Sequence, residues 1–372
     1  MTALRYAVLA IAVAALTRPV LQTGPQGDFT WHMRSARRTW QHGRLETPHF
    51  LYPLLTIAVR RTKLVDWDEA AELVPLAFQG LLAIVVMREV RRAMPATIPF
   101  AGAAAGALTL ALLAVTPVTF ASWPSHNLYF GYLGINTYHN PTMYLLRPLA
   151  LLLWLRLTGA LARPGAPATK GEVAAAAALS VLCALAKPSY GIALLPALAL
   201  AGAWHRGRGR RVDFRLILLG FVVPTCAILA WQFAFSFAAG TDALAWAPLE
   251  IMARFPGTPA RVTLTVVFPA VVYLTHFQHA RRDPALNLAW LTFAVGAAYA
   301  YLLAETGNRF EHANLIWSGQ IGAFVLFVAS TLFVLRQAGG SGSKPSALAA
   351  CAAAFALHLV CGVYFLLHPT WF

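Results

Sequence analysis

The residues of this chain that could do chemistry sit in polar stretches between long apolar runs. Asp28 is the earliest acidic residue, and His32 follows four positions later. On a helix that spacing puts both side chains on one face. A carboxylate within hydrogen-bond reach of a hydroxyl can take its proton. Asp28 also reads as an N-cap for the helix that it opens. His49 and Tyr52 stand further along the same stretch, as candidate substrate contacts. A second stretch offers His126, Asn127, Tyr138, His139 and Asn140. Aromatic faces stack on sugar rings while Asn and His bond hydroxyls, so the pattern suits a sugar. An interfacial aromatic belt with ordinary caps reads equally well. A third stretch packs Glu305, Asn308, Arg309, Glu311 and His312 into eight residues. Ionisable groups at a membrane boundary are functional candidates, and an Arg309–Glu ion pair is the structural alternative.

These groups have to be positioned by a membrane scaffold. The chain has 372 residues, 59% hydrophobic and 12% charged. Its mean hydropathy is +0.61. Apolar runs recur along the whole length, so the expected class is an all-α polytopic membrane protein. The runs are continuous and do not alternate, which argues against a β-barrel. A net charge of +15 does not call for nucleic acid here. Retention of Lys and Arg on the cytoplasmic side explains it. Cys183, Cys226, Cys351 and Cys361 all fall in apolar segments without metal-ligand spacing and read as small core residues. The first apolar run follows Arg5 and ends at Thr17-Arg18-Pro19 without a small-residue cleavage site, so it reads as an uncleaved span.

Eleven spans are expected, near 4–22, 69–90, 97–117, 141–158, 172–186, 189–204, 214–236, 261–278, 286–304, 313–335 and 346–367. The 33 residues of 172–204 are too many for one helix, and Lys187-Pro188 divides them. With the N-terminus inside, the clusters Arg88/Arg91/Arg92, Arg206–Arg215 and Arg281/Arg282 all fall in cytoplasmic loops. The long first outer loop, 23–68, breaks that bias. It should hold a basic amphipathic helix from Asp28 to Trp40 and a short apolar run, Phe50 to Val59, that cannot cross. Asp66-Trp67-Asp68-Glu69 reads as a helix cap or as a D-x-D pair able to hold a metal beside a diphosphate. In the second long loop, 237–260, Trp246, Glu250 and Arg254 fall at helical spacing and suggest a short interfacial helix. Gly339 to Lys344 is a flexible linker. The chain is expected to form one membrane domain, a core over 1–240 and C-terminal helices over 241–372, without a soluble domain.

An uncleaved first span, then Gly27-Asp28-Phe29 opening a long outer loop, His32, Ala36, Gly43 and the stretch Phe50-Leu51-Tyr52-Pro53 form a pattern. It resembles the GT-C class of integral-membrane glycosyltransferases, as do the span count and the two long outer loops. The resemblance implies a polyprenyl-phosphate-linked sugar donor and transfer at the extracytoplasmic face of a bacterial cell membrane. The acceptor would be a hydroxyl of a glycan, lipid or protein. Asp28 matches the family's first-loop acidic residue, which acts as base or positions the acceptor. Here Phe29 follows it, where many members carry a second acidic residue. The leaving phosphate needs fixed positive charge. Lys187 and Arg309 are the first candidates, with Arg147 and His139 next. A divalent cation, Mg or Mn, would share that role if one binds. A lipid-linked-sugar flippase explains the spans and cations too, and predicts ionisable residues within the spans. A non-catalytic scaffold would not need the cluster at 305–314.

Overall fold

In a bilayer every backbone N–H and C=O has to be satisfied within the chain, and this chain does so with helices. The computed structural model describes residues 2–23, 28–95, 97–126, 128–129, 131–161, 167–237, 243–251, 258–307, 310, 313–340 and 344–368. It is 77% helical. The elements are α1 (Thr2–Thr23), α2 (Asp28–His42), α3 (Leu51–Arg61), α4 (Trp67–Ala93), α5 (Ala101–Ala114), α6 (Pro141–Leu161), α7 (Lys170–Ala186) and α8 (Ser189–Gly207). There follow α9 (Phe214–Ile217), a π turn (Leu218–Val222), α10 (Val223–Phe237), β1 (Leu244–Trp246), α11 (Thr258–Thr265), α12 (Val267–Thr275) and α13 (Phe277–Ala280). The chain closes with α14 (Pro284–Leu302), β2 (Leu303–Glu305), α15 (Ile316–Ala338) and α16 (Pro345–Leu367).

Among the described residues, seven helices are long and apolar enough to cross a membrane. They are α1, α4, α6, the continuous run through α9 and α10, α14, α15 and α16. This is an all-α membrane protein. Every expected span contains helix, but four segments do not meet the length and apolarity of a full crossing. Helix α5 has 14 residues and α7 has 17. Helix α8 has 19 residues, with Pro196 inside and His205 and Arg206 in its last turn. The segment expected at 261–278 is broken into α11, α12 and α13. Pro269 lacks an N–H and crowds the carbonyl four residues back, which forces the restart at Val267.

Local signals set several boundaries. Asp66 caps α4 by accepting from Glu69 N at 2.8 Å, while the Glu69 carboxylate accepts from Asp66 N at 2.9 Å. Asp68 pairs with Arg37 Nη2 at 2.6 Å. The D-x-D pair therefore serves as a cap and as an ion pair to α2. Thr169 and Glu172 build the same capping box on α7.

Helices α2 and α3 form the expected surface layer. Helix α2 buries His32, Ser35, Ala36 and Thr39 and exposes Trp31, Arg34 and Arg38, a helical alternation. Helix α3 has 11 residues, too short to cross, and buries Tyr52, Pro53, Thr56 and Ile57. Among the described residues of the second long loop no helix forms at Trp246: Leu244–Trp246 is a strand, antiparallel to Leu303–Glu305. Pairing with β2 satisfies its backbone groups where a three-residue helix could not. Arg254 lies outside the described residues.

Glycines let α14 and α15 approach closely. A Cβ on Gly296 would collide with the Ser318 carbonyl, and one on Gly322 would lie 2.8 Å from Phe293 Cα. That contact holds the first turn of α15 against the end of the bundle that carries α2. Cys183, Cys351 and Cys361 are buried and Cys226 is exposed, and all four are free thiols.

Candidate functional site

The candidate site forms where α2, the start of α6, the α7–α8 turn and the start of α15 meet. Residues 131–140 cross this end of the bundle in non-helical conformation, and all ten are buried. Asn140 ends that segment and caps α6. Its Oδ1 accepts from Thr142 N at 3.0 Å, Met143 N at 3.3 Å and Thr142 Oγ1 at 2.6 Å. With Oδ1 committed to three donors, the amide nitrogen faces away from α6. It donates to Asp28 Oδ2 at 2.9 Å. His139 Nε2 lies 3.5 Å from the same oxygen. Asp28 opens α2, where the helix dipole favours an anion. Its side chain keeps 39% of its exposure, so the carboxylate is open to a second partner.

Lys187 approaches from the other side. It ends α7 in extended conformation, and Pro188 stops the helix from continuing. Its ammonium donates to Thr142 Oγ1 at 3.3 Å and sits 4.2 Å from the centre of the Trp317 ring. The donors therefore line up in one direction: Lys187 to Thr142, Thr142 to Asn140, Asn140 to Asp28. A buried cation and a half-exposed carboxylate are joined by two neutral side chains.

Burial sets the charge states around this line. His139 is held down to about 4 by burial, against the pull of Asp28, with Lys187 and Arg147 pushing the same way as burial. It is a neutral imidazole at physiological pH. His32 is lowered by burial first, then by His49 and Lys187. Its Nδ1 is buried without a hydrogen-bond partner. Lys187 is lowered to about 8 by burial, with Asp28 opposing, so it is still a cation at neutral pH.

A second layer fixes the first. Tyr129 meets His139 edge-on at 4.9 Å and accepts from Gln320 Nε2 at 2.8 Å. Gln320 Oε1 in turn accepts from Thr137 Oγ1 at 2.9 Å. Trp317 lies 5.7 Å from His139. On the α2 side, His32 contacts the rings of His49 at 5.6 Å and Tyr52 at 6.0 Å. Tyr52 hydrogen-bonds Ala71 O at 3.1 Å, tying α3 to α4. Gln232 donates to Pro48 O at 3.0 Å and Ala184 O at 2.8 Å, which holds the non-helical segment entering His49 against α7.

The structure thus brings together Asp28, His32, His49, Tyr52, His139, Asn140 and Lys187. Other candidates lie elsewhere. Arg147 is fully buried, bonded to Asn136 Oδ1 at 3.0 Å and to the Thr137 carbonyl, with the rings of Tyr138, Tyr144 and Phe324 around it. Tyr138 donates to Leu113 O at 2.6 Å and stacks on Phe365. These two residues hold the 131–140 segment down and present nothing to solvent. His126 is exposed, on a turn with φ of 54°. Glu305 takes Asn314 Nδ2 at 2.6 Å and lines a separate cleft of about 590 Å³ with Glu250, Thr306 and Phe310. Asn127, Asn308, Arg309, Glu311 and His312 lie outside the described residues.

Thr142, Trp317, Gln320 and Tyr129 are site residues that sequence reasoning missed. Gln320, a glutamine inside an apolar helix, was the one visible signal. Among the described residues no group of three or more His, Cys, Asp and Glu is placed to hold a metal ion. No protein-family model matches the chain, and no curated protein matches it either.

Proposed function

We propose that the chain is a membrane glycosyltransferase of GT-C type, acting at the extracytoplasmic face of a bacterial cell membrane. It moves a sugar from a polyprenyl-phosphate donor to an acceptor hydroxyl. The observation that carries this reading is the placement of Asp28: a partly exposed carboxylate, oriented by Asn140 and His139 and backed by the Lys187 ammonium. Asp28 takes the acceptor proton as the acceptor oxygen attacks the anomeric carbon. The bond from that carbon to the phosphate oxygen breaks, and its electron pair leaves with the polyprenyl phosphate. One displacement inverts the anomeric centre. Lys187 offsets the charge that grows on the phosphate. Arg309 joins it in this reading. His32 and His49 contact the sugar, and the acceptor is a glycan, lipid or protein. The eleven-span topology, inside N-terminus and lateral entry of the lipid tail belong to the same proposal. A divalent cation, Mg or Mn, would share the role of Lys187 if one binds, and no step above is routed through it.

A second reading is a lipid-linked-sugar flippase without transfer. The interrupted helix 258–280 favours it, since broken helices mark transport paths. The two are separated by incubating purified protein with labelled polyprenyl-phosphate sugars, with and without a chelator. Transfer to an acceptor supports the enzyme. Lipid translocation in vesicles without any transfer replaces it with the flippase.

A further inference from the structure

Helix α8 starts beside Lys187 and spans 19 residues, which is about 28 Å of rise. Its far end carries a turn dense in arginine. Arg206, Arg208, Arg210, Arg211 and Arg215 fall within ten residues, and all five are exposed. We propose that this turn, residues 204–215, binds the headgroup of an anionic phospholipid. The inference is independent of the chemistry at Asp28.

Retention of basic residues on one side of the membrane accounts for arginines at this end. It does not account for how they are presented. The turn is built and not a loose tail. Arg208 N donates to Trp204 O at 3.3 Å, Gly209 N to Arg206 O at 3.0 Å and Arg210 N to His205 O at 3.0 Å. Gly209 makes the reversal at φ of 70°, a conformation that glycine adopts without strain. The Arg208 guanidinium stacks 4.1 Å from the Trp204 ring, whose residue is 59% exposed. A tryptophan and an arginine stacked at a helix end suit the headgroup level of a bilayer.

Asp213 is the single carboxylate within the turn. Asp213 Oδ1 accepts from Leu216 N at 3.0 Å and Oδ2 from Ala168 N at 2.6 Å. Both of its oxygens serve backbone donors, in a turn that carries five arginines. His205 feels their charge: burial, then Arg210 and Arg208, hold this imidazole below its ordinary value. Guanidinium forks match phosphate oxygens two at a time. Exposed Leu200, Phe214 and Leu218 flank the arginines and continue into the lipid-facing surface. A free phosphate has no use for that apolar flank, whereas an acyl chain lies along it.

The test uses the full chain in phosphatidylcholine vesicles containing brominated phosphatidylglycerol or brominated phosphatidylcholine at equal mole fraction. Quenching at Trp204 is taken as the difference between wild type and Trp204→Phe. The anionic lipid should quench more strongly. The preference should fall by about fivefold per arginine removed in a series of Arg208→Gln, Arg210→Gln and Arg211→Gln. These exposed changes should leave the thermal midpoint in place. In wild type the preference should collapse at about 1 M salt, where the Debye length is about 3 Å. This arm decides the matter if a variant does not fold. Equal quenching by both lipids, or a preference that survives the triple variant, overturns the proposal. Displacement by millimolar inorganic phosphate would overturn the lipid assignment in favour of a free-anion site.

Discussion

Asn140 gives its amide N–H to the Asp28 carboxylate across 112 positions of the sequence, at 2.9 Å. The amide cannot turn round, because its oxygen caps α6. The orientation of the proposed base is thereby tied to the start of a buried helix, not to the surface layer alone.

Asn140→Asp separates the cap from the contact. Aspartate caps a helix as well as asparagine does, so α6 should be intact by circular dichroism. The variant loses the donor to Asp28 and sets two carboxylates side by side, which raises the pKa of one of them. Sugar transfer should drop at least about tenfold at neutral pH and recover as pH rises, the direction for a base that must lose an extra proton. A flat pH response would show that Asn140 does not act on Asp28.

Thr142→Val keeps the shape of the side chain and removes the hydroxyl between Lys187 and Asn140. Leaving the buried ammonium without that acceptor should cost about 1–3 kcal/mol in thermal or denaturant unfolding. Thr142→Ser should restore most of it. Equal losses in both variants would assign Thr142 to packing through its methyl group.

His139 supplies a pH dependence of known sign. Burial lowers it to about 4 in the folded chain, from an ordinary value near 6.5. The stability that its neutral form contributes is complete above pH 6.5 and is lost as pH falls from there toward 4. The shift corresponds to about 3 kcal/mol at full effect. His139→Gln should flatten the fall in thermal midpoint between pH 6.5 and 4. An unchanged acid limb would mean that other groups carry it.

Asp66→Ala tests the D-x-D stretch. Loss of the α4 cap should destabilise the protein by about 1 kcal/mol. Transfer measured with Mn or Mg should respond to the metal as in wild type. A change in metal dependence would return Asp66 to the site.

Much of the candidate site was legible because an apolar sequence makes its polar exceptions conspicuous. Asp28, His139, Asn140 and the Lys187-Pro188 break all stood out between spans, and folding brings them within hydrogen-bond or charge range. Trp317 was hidden inside a span, and Gln320 showed there only as a polar residue in an apolar helix; the packing of α15 against the 131–140 segment gives both a role. Arg147 looked like a free cation because sequence does not show the three rings that enclose it. Trp246 fitted a helical spacing, but its strand partner is Leu303, 57 residues away, and only the fold supplies it. The break at 266 had a local cause in Pro269, which a purely apolar count passes over.

The most direct test of the account is single-turnover transfer from a polyprenyl-phosphate sugar by wild type and Asp28→Asn, both shown to be folded by matching thermal midpoints. Removal of a general base should slow transfer by at least about 100-fold while donor binding holds. Equal rates in the two proteins would remove Asp28 from the chemistry and leave it as the residue that opens α2.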